Sequence, residues 1–457
     1  MAKRNYSRRE FVKQNSLAGL GAAVSLGVAP VLMSNRYSVS GVPAILGGEK
    51  VRTKAWPHWP EWDISTDEEP VVKVLRSGIW SRASVVDEFE RKWAETIGTK
   101  RCLALVNGTN SLITALVQLG IGGGDEVIVS PYTFIATSIA ILQTGAIPVF
   151  ADTDPESFQI DPDTIEQKIT SRTKAILPVH IFGLPADMTR IMAIARKHNL
   201  LVLEDACQAW LSEIDHKKVG TFGNAGCFSF QNSKNIPIGE GGAIVSDDES
   251  FMDRCYSYHN YGNPYGSVVG SVSSGTLMAG TKLRMTEYQA AIGLVQLKRL
   301  EGQTTIRSEN AGYLRAKIKD IPGILPYQFT DKVTRVSFHI FPFRYRKEAF
   351  KGLTRDTFIK ALDAEGIPCS GGYRPLNKMP YIASAFKTKN FRLMYPAEML
   401  DYDKYMQRNQ CPMNDMVCDE AVWFEQSMLL AGKPDMDDIF RAIEKIHTNA
   451  DMIRTGK

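Results

Sequence analysis

The stretch FSFQNSKNIPIGEGG (Phe228–Gly242) holds a single lysine, Lys234, between short polar residues and a glycine cluster. A flexible amine beside backbone that can bend sharply suits nucleophilic chemistry on a carbonyl. Taken alone it reads more readily as a solvated surface lysine, and the rest of the chain has to decide. Three more groups stand at comparable positions. Asn107-Gly108-Thr109 follows the apolar run CLALV and opens a helical pattern. Small residues at a helix N-terminus offer free N–H groups to an anion such as a phosphate, although NGT is also a plain turn and cap. Glu204-Asp205 ends the apolar run LVLED, where a carboxylate is partly buried and needs a partner. Phe134 in SPYTFIATS offers a flat ring just after a strand. Together these suit pyridoxal 5′-phosphate, which needs an amine for a Schiff base, a carboxylate on its pyridine nitrogen, a stacking ring and an anion cradle. Lys234 supplies the amine, Asp205 the carboxylate and Phe134 the ring, while Gly108, Thr109 and Ser229 hold the phosphate.

The elements needed to bring these groups together are readable. From about residue 100, short apolar strands alternate with helical patterns: CLALV, EVIVS, IPVFAD, AILPVH and LLVLED each precede a helix or turn. Such alternation predicts an α/β domain with a mostly parallel sheet and helices on both faces. In open parallel sheets, ligands sit at the carboxyl ends of the strands, where all four groups fall. CFSF and GGAIVSD add strands on either side of Lys234. DPDTIEQKI opens with a capping aspartate. The Gly/Ser-rich run 259–280 reads as a long loop, and 284–318 as a long helix. Beyond it SFHIFPFRY alternates like a half-exposed strand, and the C-terminal part reads as a smaller α+β domain. The expected division is a leader segment at 1–40, a large cofactor-binding domain at 41–300 and a small domain at 301–457.

The ordered motifs NGTNSL, PYTFIATS, EDACQA, FSFQNSK and GEGG resemble the DegT/StrS family of pyridoxal-phosphate-dependent sugar aminotransferases, of fold type I. The resemblance spans roughly residues 42–450. GGEKVRTKAWPHWPEWD and AVWFEQSMLL look most like the branch that aminates keto-cyclitols with glutamine. The resemblance implies an enzyme that moves an amino group from glutamine or glutamate to a keto-sugar or keto-cyclitol through a Schiff base on Lys234. It also implies a homodimer with active sites shared across the interface. Carried over residue by residue, Asp205 partners the pyridine nitrogen, Gln208 contacts the cofactor ring or its 3′-oxygen, and Ser229 the phosphate. Where the family often reads G-x-N-x-R-M, this chain has GTKLRM, so Lys282 replaces the asparagine that reaches the neighbouring subunit's phosphate. Trp80 in SGIWSR and Tyr373 in SGGYRPL are substrate-side candidates. Related dehydratases carry histidine in place of the lysine, so Lys234 argues against that activity.

The bulk numbers narrow the class. The 457 residues carry 44% hydrophobic and 23% charged residues, as folded globular chains do. A formal net charge of +4, without clustering, does not point to nucleic acid. Seven cysteines include no CxxC pair, so neither a metal site nor a disulfide framework is expected; Cys207 and Cys227 read as buried thiols. The N-terminus differs. SRREFVK (Ser7–Lys13) precedes a Gly/Ala-rich run free of charge until Arg36, and resembles a twin-arginine export signal. Export to the periplasm or anchoring through this segment alone is therefore expected, the alternative being a basic tail on a cytoplasmic protein. Export also motivates a second reading, an exported protein that keeps the cofactor pocket for binding or sensing without turnover.

Overall fold

A computed structural model describes residues 41–267 and 275–456. The twin-arginine segment and part of the Gly/Ser-rich run lie outside the described residues.

Seven strands form the large sheet: β1 (Arg101–Leu105), β2 (Glu126–Val129), β3 (Ile147–Phe150), β4 (Thr173–Leu177), β5 (Leu201–Asp205), β8 (Ala225–Ser229) and β9 (Gly242–Ser246). Their order is β1-β9-β8-β5-β4-β2-β3, with β9 antiparallel to both neighbours and the rest parallel. The strands are almost wholly buried, because helices cover both faces. Register brings three strand ends together. Gly242 pairs with Leu105 on one side and Ser229 on the other, and Asp205 pairs with Cys227. A Cβ at Gly242 would lie 2.3 Å from the carbonyl carbon of Asn107 and 2.5 Å from the Gly108 nitrogen. The last glycine of GEGG is therefore required for the β9 start to pass under the turn after β1.

Two short strands, β6 (Glu213–Ile214) and β7 (Lys217–Lys218), pair with β11 (Val333–Arg335) in a small three-stranded sheet. The second larger sheet is antiparallel, in the order β10-β12-β14-β13, with β10 (Ile324–Pro326), β12 (Ile340–Tyr345), β13 (Ser370–Gly371) and β14 (Ala421–Glu425). Here one expectation is corrected: β12 is buried along its whole length, not half-exposed. It is flanked by β10 and β14, and rings cover it, Tyr345 stacking at 4.3 Å on Phe358 and Phe341 lying 5.5 Å from Tyr327. Likewise DPDTIEQKI forms two 3-10 turns rather than one helix, with Asp161 accepting from the Asp163 N–H as its cap.

Of the helices, α1 (Ile64–Ser77), α2 (Ser84–Ile97), α3 (Gly108–Gln118), α4 (Ala136–Gln143), α5 (Met188–His198), α6 (Glu249–His259) and α7 (Glu287–Ile318) position the site. The 32-residue α7 carries the chain from the large sheet to the small one, and residue 300 falls within it. It opens with a capping box, the Thr286 N–H donating to Gln289 Oε1 at 3.0 Å. Glu287 accepts from the N–H groups of Ala83, Val85 and Val86, so one buried carboxylate caps the start of α2.

His259 ends α6 fully buried, with Arg82 and Arg284 nearby. Burial and these cations push its pKa down to about 3. The unfolded chain therefore binds a proton at this site below about pH 6.5 that the folded chain refuses. The neutral imidazole's contribution is full above that pH and is lost as pH falls towards 3. Between pH 6 and 4 it steepens the loss of unfolding free energy by about 1.4 kcal/mol per pH unit. Urea unfolding of His259→Gln across that range is expected to show a slope flatter by that amount; an unchanged slope would reject the assignment.

Candidate active site

A cavity of about 780 Å³ opens at the carboxyl ends of β1, β5 and β8. Gly108, Thr109, Phe134, Asp205, Gln208, Ser229, Lys234 and Tyr373 all line it. Trp80 and Lys282 do not. Trp80 is exposed, its indole N–H donating to the Leu75 carbonyl, and Lys282 is exposed on a segment bridged to Asn260.

Lys234 leaves the end of β8 in a tight loop. The Asn232 N–H donates to the Gly239 carbonyl, and the N–H groups of Phe230 and Ile238 close the base at 2.8 and 2.9 Å. Gly239 supplies the left-handed residue, at φ +85°. Lys234 Nζ lies 3.3 Å from His339 Nε2. Burial lowers the basicity of the amine, against the weaker pull of Cys207 and Asp205. The lowered basicity raises the share of amine in the neutral, nucleophilic form. His339 is itself held well below its usual range by burial and by the Lys234 and Arg307 charges. It thus brings no second positive charge to the amine.

Asp205 is 4% exposed, and its carboxylate is fixed at both oxygens. Oδ2 accepts from Thr137 Oγ1 at 2.8 Å and Oδ1 from the Cys207 N–H at 3.1 Å. The strand pleat sends its neighbour Glu204 to the other face. There Glu204 accepts from Gly220, Phe222 and Gly223 N–H groups and meets His180 Nε2 at 3.0 Å. Of the two acids, Glu204 ties down a loop and Asp205 faces the cavity.

The start of α3 forms a cradle. Asn107 caps it, Oδ1 accepting from the Asn110 N–H at 2.9 Å. The Gly108 and Thr109 N–H groups are left without intrahelical acceptors. A Cβ on Gly108 would lie 2.9 Å from both Cys207 Sγ and the Ser229 Cβ, so only glycine lets the helix end meet Ser229. Phe134 is 57% exposed, an uncovered ring at the cavity. Gln208 is buried behind it, accepting from the Phe182 N–H and donating to Tyr373 Oη at 3.2 Å. Cys227 is buried and Cys207 partly so, and burial pushes both thiols well up, so both are inert. These residues fit pyridoxal phosphate: an anion cradle, a ring face, a fixed carboxylate and an amine of lowered basicity share one cavity.

Thr137, His339, Trp423 and Gln426 also line the cavity, and none of them was singled out from the sequence. Thr137 lies within PYTFIATS, three residues after Phe134, and Trp423 and Gln426 lie within AVWFEQSMLL, so both motifs offered a usable signal. His339 stands just before β12, where the local pattern shows only a strand.

The fold and cavity define a pyridoxal-phosphate-dependent aminotransferase of fold type I. The chain belongs to the DegT/DnrJ/EryC1/StrS aminotransferase family, whose sequence profile matches residues 63–416. It is 36% identical over 391 residues to the spore coat polysaccharide biosynthesis protein SpsC of Bacillus subtilis, covering 84% of this chain and 95% of that one. It is 32% identical over 418 residues to the L-glutamine:2-deoxy-scyllo-inosose aminotransferase of Streptomyces kanamyceticus, covering 88% and 96%. The crystal structure of 3-amino-5-hydroxybenzoic acid synthase superposes with a TM-score of 0.76 at 30% identity, covering 88% of this chain and 100% of that one.

Proposed function

We propose that this enzyme transfers an amino group from L-glutamine or L-glutamate to the ketone of a sugar or cyclitol, with Lys234 as the catalytic amine. The observation that carries this reading is the convergence of Lys234, Asp205 and the open start of α3 on one cavity. Similarity to a glutamine:cyclitol aminotransferase supports the substrate class. Pyridoxal phosphate, when bound, supplies an aldehyde and an electron sink. The Lys234 amine would hold that group, and its Nζ, once free, would move a proton to and from the donor's Cα. Asp205 would keep a ring nitrogen protonated. Gly108, Thr109 and Ser229 would hold the phosphate, with Phe134 and Gln208 on the side of the ring. Tyr373, 3.2 Å from Gln208, bounds the substrate side, and Trp80 is assigned to the substrate side of a neighbouring subunit's site. The test is a single turnover of loaded enzyme with L-glutamine, followed by scyllo-inosose. Absorbance should convert to the pyridoxamine form and back; no conversion with either donor rejects the reading.

A homodimer completes the site in this reading. Ile79, Trp80, Tyr261, Tyr265 and Leu277 are all more than half exposed, an apolar surface a partner would cover. The Glu287 N–H donates to the Trp80 carbonyl, tying the first of these segments to the start of α7. Lys282 lies between them and is assigned to the partner's phosphate, as a point charge where the family has a neutral amide. Lys282→Ala is expected to weaken cofactor retention on dialysis by about 1–3 kcal/mol, the scale of a hydrogen bond to a charged group. Retention equal to wild type at low salt would return Lys282 to solvent.

The N-terminal Arg8-Arg9 pair is assigned to twin-arginine export, after the cofactor is loaded in the cytoplasm, with membrane contact confined to that segment. Among the described residues no helix is long and apolar enough to cross a membrane. Replacing both arginines with lysine should hold a tagged protein in the cytoplasm. A wild-type protein found wholly cytoplasmic and soluble would refute the assignment.

A further inference from the structure

Gln426 directly follows β14 and lines the cavity, yet its residue is only 3% exposed. Its Oε1 accepts from Arg307 Nε at 2.9 Å and from Nη2 at 2.5 Å. This double contact settles the orientation of the amide, because a guanidinium has only donors. The oxygen faces Arg307, and Nε2 is what the side chain has left to offer. No acceptor among the described residues takes the Nε2 hydrogens, and that nitrogen is not sealed from solvent.

Arg307 stands behind this amide on α7, fully buried, its Cζ 5.1 Å from the centre of the Trp59 ring. Among the described residues no carboxylate lies within ion-pair distance; Glu61 acts on it only from afar. Burial lowers its pKa to about 9, so the guanidinium is charged at neutral pH. Gln426 shares this cavity with His339 and Lys234, and the Arg307 charge is among the causes that depress His339. An amide aligned between a buried cation and an open cavity projects the positive end of its dipole outward. Glu425 lines the cavity too, but it is exposed and screened by solvent.

We propose that Gln426 receives a carboxylate of the amino donor, with Arg307 as a positioning residue that orients the amide and lends it charge. This rests on the aminotransferase reading above. A hydroxyl of the acceptor is the competing ligand for the same donor group, and a donor-only group backed by a cation favours the anion over the neutral hydroxyl.

The test uses holoenzyme and two unreactive probes, glutarate and scyllo-inositol, measured by calorimetry. Gln426→Glu keeps the oxygen that Arg307 needs and replaces the free amide nitrogen with an anionic oxygen; Gln426→Met removes both groups at similar length. Glutarate Kd is expected to rise roughly tenfold or more in Gln426→Glu, the scale of a lost hydrogen bond to a charged group. A smaller rise is expected in Gln426→Met. Scyllo-inositol Kd, the cofactor absorption band and the melting temperature of Gln426→Glu should match wild type, and KM for L-glutamine should rise more than kcat falls. Weakened scyllo-inositol with unchanged glutarate would overturn the proposal in favour of an acceptor-hydroxyl contact. Unchanged affinity for both would overturn it outright, and parallel loss of both with a lower melting temperature would reduce Gln426 to a structural role. If wild-type enzyme takes an amino group from neither L-glutamine nor L-glutamate, the parent reading fails and this one with it. If it takes one, and glutarate binding is unaltered, the Gln426 assignment alone falls.

Discussion

Lys234→Ala is expected to abolish covalent capture of the cofactor and to lower transamination by at least about 10³-fold, within the range attributed to a positioned acid–base group. Borohydride reduction of loaded wild-type enzyme should fix the cofactor on the peptide containing Lys234. The variant should release it on denaturation. Non-covalent binding should survive, since the α3 start, Ser229, Phe134 and Asp205 are untouched by the change. The fold should survive as well. Among the described residues the amine's only hydrogen-bond partner is His339, and its basicity is lowered because burial disfavours its charge. Below the lowered folded pKa a buried ammonium costs stability, and the cost vanishes as pH approaches the unfolded value near 10.5. Apo Lys234→Ala should therefore unfold no more easily than apo wild type at pH 7. A small added amine that restores part of the rate would place the defect at the missing proton carrier. A variant keeping both the covalent adduct and turnover would sink the central assignment.

The parts of the site legible in the sequence are those written into strand ends. CLALV is followed by Asn107, LVLED ends in Asp205 and CFSF contains Ser229; β5 and β8 pair in parallel and β1 runs the same way because β9 is antiparallel to both β1 and β8, so these residues reach one edge of the sheet. That is why Gly108, Asp205 and Ser229, up to 121 residues apart, meet around Lys234. GEGG was read as freedom to turn. The closer reason is at Gly242, where any side chain would strike the backbone of Asn107. What stayed illegible came from the small sheet. His339, Trp423 and Gln426 sit on or beside strands of the four-stranded sheet, and although AVWFEQSMLL contains the last two, nothing local says that they face the cavity. Their placement depends on how β12 and β14 stack against the large sheet, a long-range fact. The burial of β12 was missed for the same reason: Pro342 and Arg344 interrupt its apolar run, yet both are covered by neighbours. Trp80 and Lys282 lie outside the cavity of their own subunit; for Lys282, which stands where the family has an asparagine directed at the neighbouring subunit, one subunit does not test the expectation.

Asp205→Asn should separate the carboxylate's charge from its shape. The amide can keep both existing contacts: its oxygen accepts from the Cys207 N–H, and its nitrogen donates to Thr137 Oγ1. Thr137 has a ready outlet for its own hydrogen in Thr133 Oγ1, 3.1 Å away. The substitution therefore leaves no buried donor or acceptor unpaired, and folding should be unaffected. Only the negative charge, proposed to face the pyridine nitrogen, is lost. That charge matters little to a resting cofactor held by its phosphate and by Lys234. It matters most when electron density flows from the donor's Cα towards the ring, because a protonated nitrogen accepts that density and an unprotonated one does not. An interaction that strengthens only as the barrier is approached appears in the rate and not in the affinity. Turnover is accordingly expected to fall by roughly 10²–10³, the cost of removing one preorganised electrostatic partner. Cofactor Kd should rise by less than about tenfold, the worth of one modest contact. The measurement is paired: cofactor affinity by equilibrium dialysis, and the single-turnover rate with L-glutamine at saturating cofactor. Equal losses in the two would show that Asp205 merely helps to hold the ring, and the charge at the nitrogen would then have to come from elsewhere in the cavity.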